Sequence, residues 1–144
     1  MKNVQLPDHR LFQELKKLSF PAGEYAIFGS GPMWVRGIRE SHDLDIIARG
    51  EAWEWAKANG QVTIKENSEL ECAQFADGNI EVYQDWYPGK WDVDTLIESA
   101  DMIEGIPFVR LASVIDWKKI MGREKDGEDL ILIEEYLTKN NEIV

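Results

Sequence analysis

Asp43 and Asp45 flank Leu44 at the head of an apolar run, and a Gly29-Ser30-Gly31-Pro32 turn precedes them. On a strand, alternate side chains share a face, so the two carboxylates would project together, roughly 6.6 Å apart at their backbones, with Leu44 and Ile46 packing behind. Two carboxylates so placed reach the same ions. Magnesium prefers a few carboxylate oxygens plus substrate phosphates to a full protein cage, and two ions roughly 4 Å apart suit in-line displacement at phosphorus. The pair therefore points to magnesium-dependent chemistry on a phosphorylated substrate.

The elements around the pair fit that chemistry. Tyr25 to Phe28 is short, apolar and partly aromatic, as a buried strand is, and Gly29-Ser30-Gly31 lets the backbone turn sharply and come close to a ligand. Ser30 has N-cap chemistry and Pro32 suits an early helical position, so the turn offers unpaired amides where a phosphate could sit. Beyond the acidic pair, the spacing predicts a helix over Glu51 to Asn59 and a short strand over Val62 to Lys65. Two strand-like runs, 69 to 76 and 79 to 86, are joined by the hairpin signal Asp77-Gly78. Within the second run, Ile80 and Val82 face one way and Glu81 the other, which makes Glu81 a candidate third carboxylate, with Asp85 as the alternative on the same face.

Four further helices are expected. Pro7-Asp8 caps an amphipathic segment carrying Leu11, Phe12, Leu15 and Leu18, Asp92 to Ser99 reads as a short helix, and Leu111 to Met121 as a longer one interrupted by Gly122. Met102 to Val109 reads as an extended piece broken at Gly105 and Pro107. A last helix places Leu130, Ile133 and Leu137 on one side. Before it, Lys118, Arg123 and Lys125 form a basic cluster that either meets triphosphate oxygens or offsets a helix dipole. Trp34, just past the glycine turn, is expected to pack in the core rather than stack on a base. Arg36 and Arg39 either reach phosphate or pair with Glu40 and Asp43.

Gly29-Ser30 followed by Asp43-Leu44-Asp45-Ile46 resembles the glycine-serine and Asp-x-Asp signature of the polymerase-beta-like nucleotidyltransferase superfamily in its minimal form. Arg36-Gly37 between them is similar to the arginine-glycine step of that signature. The segment from Lys118 through Arg123 to Lys125-Asp126 is similar to a Lys-x4-Arg-x-Lys-Asp segment of small nucleotidyltransferase-like proteins. The resemblance implies an α+β fold, a mixed central sheet flanked by helices, binding a nucleoside triphosphate and magnesium at its edge. It further implies that Asp43, Asp45 and Glu81 are catalytic residues and metal ligands, glutamate standing where most relatives carry aspartate. Gly29, Ser30, Arg36, Lys118, Arg123 and Lys125 would bind the nucleotide.

Composition narrows the classes. A chain of 144 residues with 44% hydrophobic content fits one globular domain over 1–144. No apolar run approaches the roughly 20 residues that span a bilayer and no signal-peptide pattern is present, so a cytoplasmic protein with no membrane partner is expected. Cys72 is the single cysteine and His9 and His42 the only histidines, which excludes an internal disulfide and a zinc ligand set. The third small residue of a dinucleotide fingerprint is missing after Gly31. A net charge of −11 makes long nucleic acid an unlikely partner, since backbone phosphates demand a basic face. The expected activity is magnesium-dependent transfer of a nucleotidyl group from a nucleoside triphosphate to an unidentified acceptor. The alternative is a degenerate member of the fold that binds a nucleotide or a basic protein partner without chemistry, such as the antitoxin of a toxin-antitoxin pair.

Overall fold

The computed structural model of the chain describes residues 4–144; residues 1–3 of the domain expected over 1–144 lie outside the described residues. In chain order the elements are α1 Arg10–Lys17, β1 Tyr25–Phe28, α2 Gly31–Val35, β2 Leu44–Ala48, α3 Gly50–Asn59, β3 Gln61–Ile64, β4 Glu71–Phe75, β5 Ile80–Tyr83, α4 Val93–Glu98, β6 Asp101–Ile103, β7 Ile106–Phe108, α5 Leu111–Met121 and α6 Glu124–Lys139. Among the described residues the strands form one seven-stranded sheet in the order β3-β4-β5-β2-β1-β7-β6. β1 runs antiparallel to β2, while the β2–β5 and β1–β7 pairs are parallel, so the sheet is mixed. This is the α+β class that the sequence implied.

Alternation along the central strands separates the two faces. Leu44, Ile46, Ile80, Val82 and Ile27 point to one side, where Leu11, Phe12 and Leu15 of α1 and Ala52, Trp53 and Ala56 of α3 cover them. Ala26, Phe28 and Ile47 point to the other, against Leu96 and Ile97 of α4, Val114 and Trp117 of α5 and Ile133 of α6. Each fully buried aliphatic or aromatic side chain contributes about 1.5–3 kcal/mol, so both layers hold the sheet in place. Trp34 lies in the first layer beside Phe12, their ring centroids 4.9 Å apart, as expected of a core residue.

Several local expectations are corrected. Helix α1 is capped by His9, whose Nδ1 accepts from the Leu11 amide at 3.1 Å; Asp8 stands one residue too early to do so. Asp43 precedes β2 rather than lying in it. Residues 102 to 109 form a hairpin of β6 and β7 that turns at Glu104-Gly105 and keeps Pro107 within β7. The Asp77-Gly78 hairpin is present, with Asp77 in the left-handed region at φ 57°.

Gly31 is required for space. A Cβ there would overlap Cγ2 of Ile27, a fully buried residue of the central strand β1. Gly127 in α6 instead faces open space. We expect Gly31→Ala to cost about 1–3 kcal/mol through overpacking. Gly127→Ala should stabilise by about 0.5–1 kcal/mol through lower chain entropy. Urea denaturation of both variants checks the opposite signs.

Candidate active site

The register of three strands assembles the site. Phe28 is the Cα partner of Asp45, and Asp45 is that of Glu81. Gln74 in turn is paired with Glu81, and Cys72 with Tyr83. Asp45, Glu81, Gln74 and Tyr83 therefore share the face opposite Leu44 and Ile46, because neighbours in register point the same way. The turn after β1 reaches this face directly. Gly29 adopts φ +60°, and a Cβ on it would lie 2.8 Å from Oδ2 of Asp45, so only glycine lets the backbone pass so close to the carboxylate.

A cleft of about 1100 Å³ opens over this face. Its walls include Asp45, Lys65, Gln74 and Tyr83 from the sheet side, and Trp117 and Arg123 from α5 and the start of α6. That volume matches or exceeds the range typical of small-molecule sites. Asp45 is partly buried, and among the described residues no protein donor hydrogen-bonds to its side chain or to that of the exposed Asp43. The Asp45 carboxyl is pushed up to about 7 by burial first, then by the negative charges of Glu81 and Asp43, with Lys65 opposing.

Glu81 is in the contrary situation. Its Oε2 accepts from Lys65 Nζ at 3.0 Å and from Gln74 Nε2 at 2.8 Å, and its Oε1 accepts from the Tyr83 hydroxyl at 3.0 Å. Burial works to raise this carboxyl, but the three donors more than offset it and hold it below the usual range. The donors line the cleft, so they stand between Glu81 and its open space. Asp85, the alternative, lies beyond β5 and accepts from the Trp86 amide at 2.8 Å instead.

No family model, curated protein or solved structure matches the chain.

Ser30 occupies the N-cap position of α2 without capping it; its hydroxyl donates to Ser41 Oγ at 2.7 Å. Ser41 Oγ in turn donates to the Asp43 carbonyl at 3.2 Å, so the glycine turn is tied to the start of the acidic strand. Arg123 lines the cleft but donates from Nε to Asp126 Oδ2 at 2.6 Å. Lys118 and Arg36, expected at phosphates, are placed elsewhere. The Lys118 side chain is 3% exposed, with Nζ 2.8 Å from Asp129 and 3.5 Å from Asp126. Arg36 is equally enclosed, donating to the Pro32 carbonyl at 2.8 Å and to Asp101 at 2.7 Å beside the C-terminal residues. Lys125 is exposed on the first turn of α6, outside the cleft lining. Arg39 forks onto Asp129 at 2.7 and 2.8 Å rather than pairing with Asp43.

Lys65, Gln74, Tyr83 and Ser41 escaped the sequence reading. The alternation of Gln74 and Tyr83 with apolar neighbours across the hairpin was a usable signal for two of them, because it puts both on the face of Glu81. Nothing local marks Lys65 or Ser41.

The elevated Asp45 carboxyl makes stability depend on pH. The folded protein keeps this proton up to about pH 7, whereas an ordinary aspartate loses it near 3.8, so stability falls as pH rises between those values. Glu81, Asp126 and Asp129 are held low, and their contribution is lost as pH falls from their ordinary values, 4.5 for Glu81 and 3.8 for the aspartates, through their depressed ones, at the acid end of the Asp45 window and below it. Asp45→Asn should thus remove most of the decline toward neutral pH. Without divalent cations, the variant should be about 2–4 kcal/mol more stable than wild type at pH 8 and nearly equal at pH 4. Urea melts across that range check this, and parallel curves for the two proteins would show that Asp45 titrates normally.

Proposed function

We propose that the chain is a minimal nucleotidyltransferase-like protein of the polymerase-beta-like superfamily that transfers a nucleotidyl group from a nucleoside triphosphate to an acceptor hydroxyl, with magnesium as its cofactor. One observation carries this reading: the Asp45 carboxylate, unpaired by any described donor, sits beside Asp43 and Glu81, under the Gly29 turn, at the wall of a nucleotide-sized cleft.

The donor set suits magnesium. It consists of hard carboxylate oxygens, and Asp45, raised by burial first and then by the negative charges of Glu81 and Asp43, has charge for a cation to offset. Asp43 and Asp45 would hold the metal, and Glu81 would join them once its donors give way. When bound, magnesium supplies Lewis-acid charge neutralisation for displacement at phosphorus. The chain's own residues do the rest. The turn at Gly29 and Ser30 seats the terminal phosphates, its distance from Asp45 fixed by the Ser30–Ser41–Asp43 chain. Arg123 and Lys65 face the cleft and offset charge on the departing phosphates. Trp117 and Tyr87 offer aromatic surface to a base. Arg36 and Lys118 have no part in this arrangement, because both are enclosed in ion pairs.

A second reading, binding without chemistry, is favoured by one observation: both oxygens of Glu81 are already engaged. Such a protein would hold a nucleotide, or use its −11 charge to hold a basic protein partner in the manner of an antitoxin.

Asp43→Ala and Asp45→Ala should each weaken magnesium-dependent triphosphate binding by about a hundredfold, ~3 kcal/mol, with the fold retained. Titration calorimetry measures this; unchanged affinity in both variants rejects the site. Binding by wild type without release of pyrophosphate, across a panel of hydroxyl acceptors, selects the second reading.

A further inference from the structure

Among the described residues two cations line the cleft, and they are held differently. Arg123 is fixed to Asp126, a fully buried carboxylate, by side-chain bonds of 2.6 and 3.0 Å. Lys65 follows directly after β3 at the head of the turn leading to β4, its side chain 40% exposed, and makes a single 3.0 Å bond to Glu81. Its four-carbon stem lets the ammonium swing without disturbing the sheet. Glu81 does not depend on it for position, because Gln74 and Tyr83 bond one carboxylate oxygen each.

Charge gives the pairing a purpose. Asp43, Asp45 and Glu81 gather three negative charges when ionised, and Lys65 offsets one of them. The Lys65 ammonium, 3.0 Å from Glu81 Oε2, is the charge that meets them. Resting on the magnesium-triphosphate reading above, we propose that Lys65 is a built-in counter-ion that masks Glu81 in the free protein, releases it to a divalent cation, and passes to a phosphate oxygen of the substrate. Lys65 is then a specificity-determining residue with two states. In one it competes with the metal for Glu81. In the other it adds a charge-assisted hydrogen bond to the bound phosphates.

The two states predict opposite effects from one substitution. In the full chain, Lys65→Met removes the competitor, so magnesium alone should bind about tenfold more tightly. With magnesium saturating, inorganic tripolyphosphate, which carries the phosphates without a base, should bind about tenfold more weakly. Lys65→Arg, which keeps the charge, should resemble wild type in both titrations. Calorimetry reads all three proteins, and far-ultraviolet circular dichroism checks that each is folded. Unchanged or weaker magnesium binding in Lys65→Met overturns the exchange, since a plain structural ion pair would not compete with the metal. Tripolyphosphate affinity equal to wild type overturns the transfer to phosphate. Failure of wild type and Lys65→Met alike to bind magnesium, with or without tripolyphosphate, overturns the underlying reading and the exchange with it.

Discussion

The pairing of Asp45 with Glu81 across two parallel strands is the constraint around which this fold is arranged. Like charges side by side on a sheet oppose the pairing that brings them together. The opposition is borne by the reverse face of the same strands, where Leu44, Ile46, Ile80 and Val82 are all fully buried. A one-residue slip of β2 against β5 would relieve the carboxylates and turn that apolar set toward the cleft. The register therefore holds because burial outweighs repulsion. The remaining repulsion is lessened by surrounding Glu81 with donors, and Asp45 is raised toward its protonated form by burial first and by that repulsion second.

The second half of the chain resolves its own electrostatic problem in a separate place. Lys118, Arg123 and Arg39 converge on Asp126 and Asp129, two buried carboxylates on one face of α6. Removing one partner from such a cluster leaves a charge without its counter-charge, which typically costs 3–5 kcal/mol. The network binds α5 to α6 and fastens both to the segment before β2 through Arg39. It fixes the far wall of the cleft, formed by Trp117 and Arg123, relative to the acidic strand. Lys118 and Arg123, which the sequence offers either to triphosphate oxygens or to a helix dipole, are thus paired with buried carboxylates, Arg123 while also lining the cleft.

That difference shows what a sequence can and cannot disclose. Asp45, Glu81, the hairpin at Asp77-Gly78 and helix α5 were legible because each follows from a local pattern: alternation, a turn dipeptide, or an apolar period with a glycine stop. The position of Asp43 outside the strand and the capping of α1 by His9 were missed by a residue, the usual scale of error at element ends. The partners of Lys118 and Arg36 were not legible. Lys118 on α5 reaches Asp126 and Asp129 on α6 across the bend at Gly122, and Arg36 reaches Asp101 on an edge strand far along the chain. Charge alone does not say which carboxylate a cation will find.

The position of the cleft follows from unequal cover on the two sheet faces. On the α1 and α3 side, apolar residues continue across the central strands. On the other side, α4, α5 and α6 pack over Ala26, Phe28 and Ile47, but the sheet beyond β2 turns polar at Glu81 and Gln74. A helix laid there would bury hydrogen-bonding and charged groups against apolar side chains, at a cost no further packing would recover. The polar patch therefore stays open, bounded by Trp117 on one flank and Lys65 on the other. The same residues that prevent the core from closing are those that can receive a charged ligand, so the site and the gap in the packing have one cause.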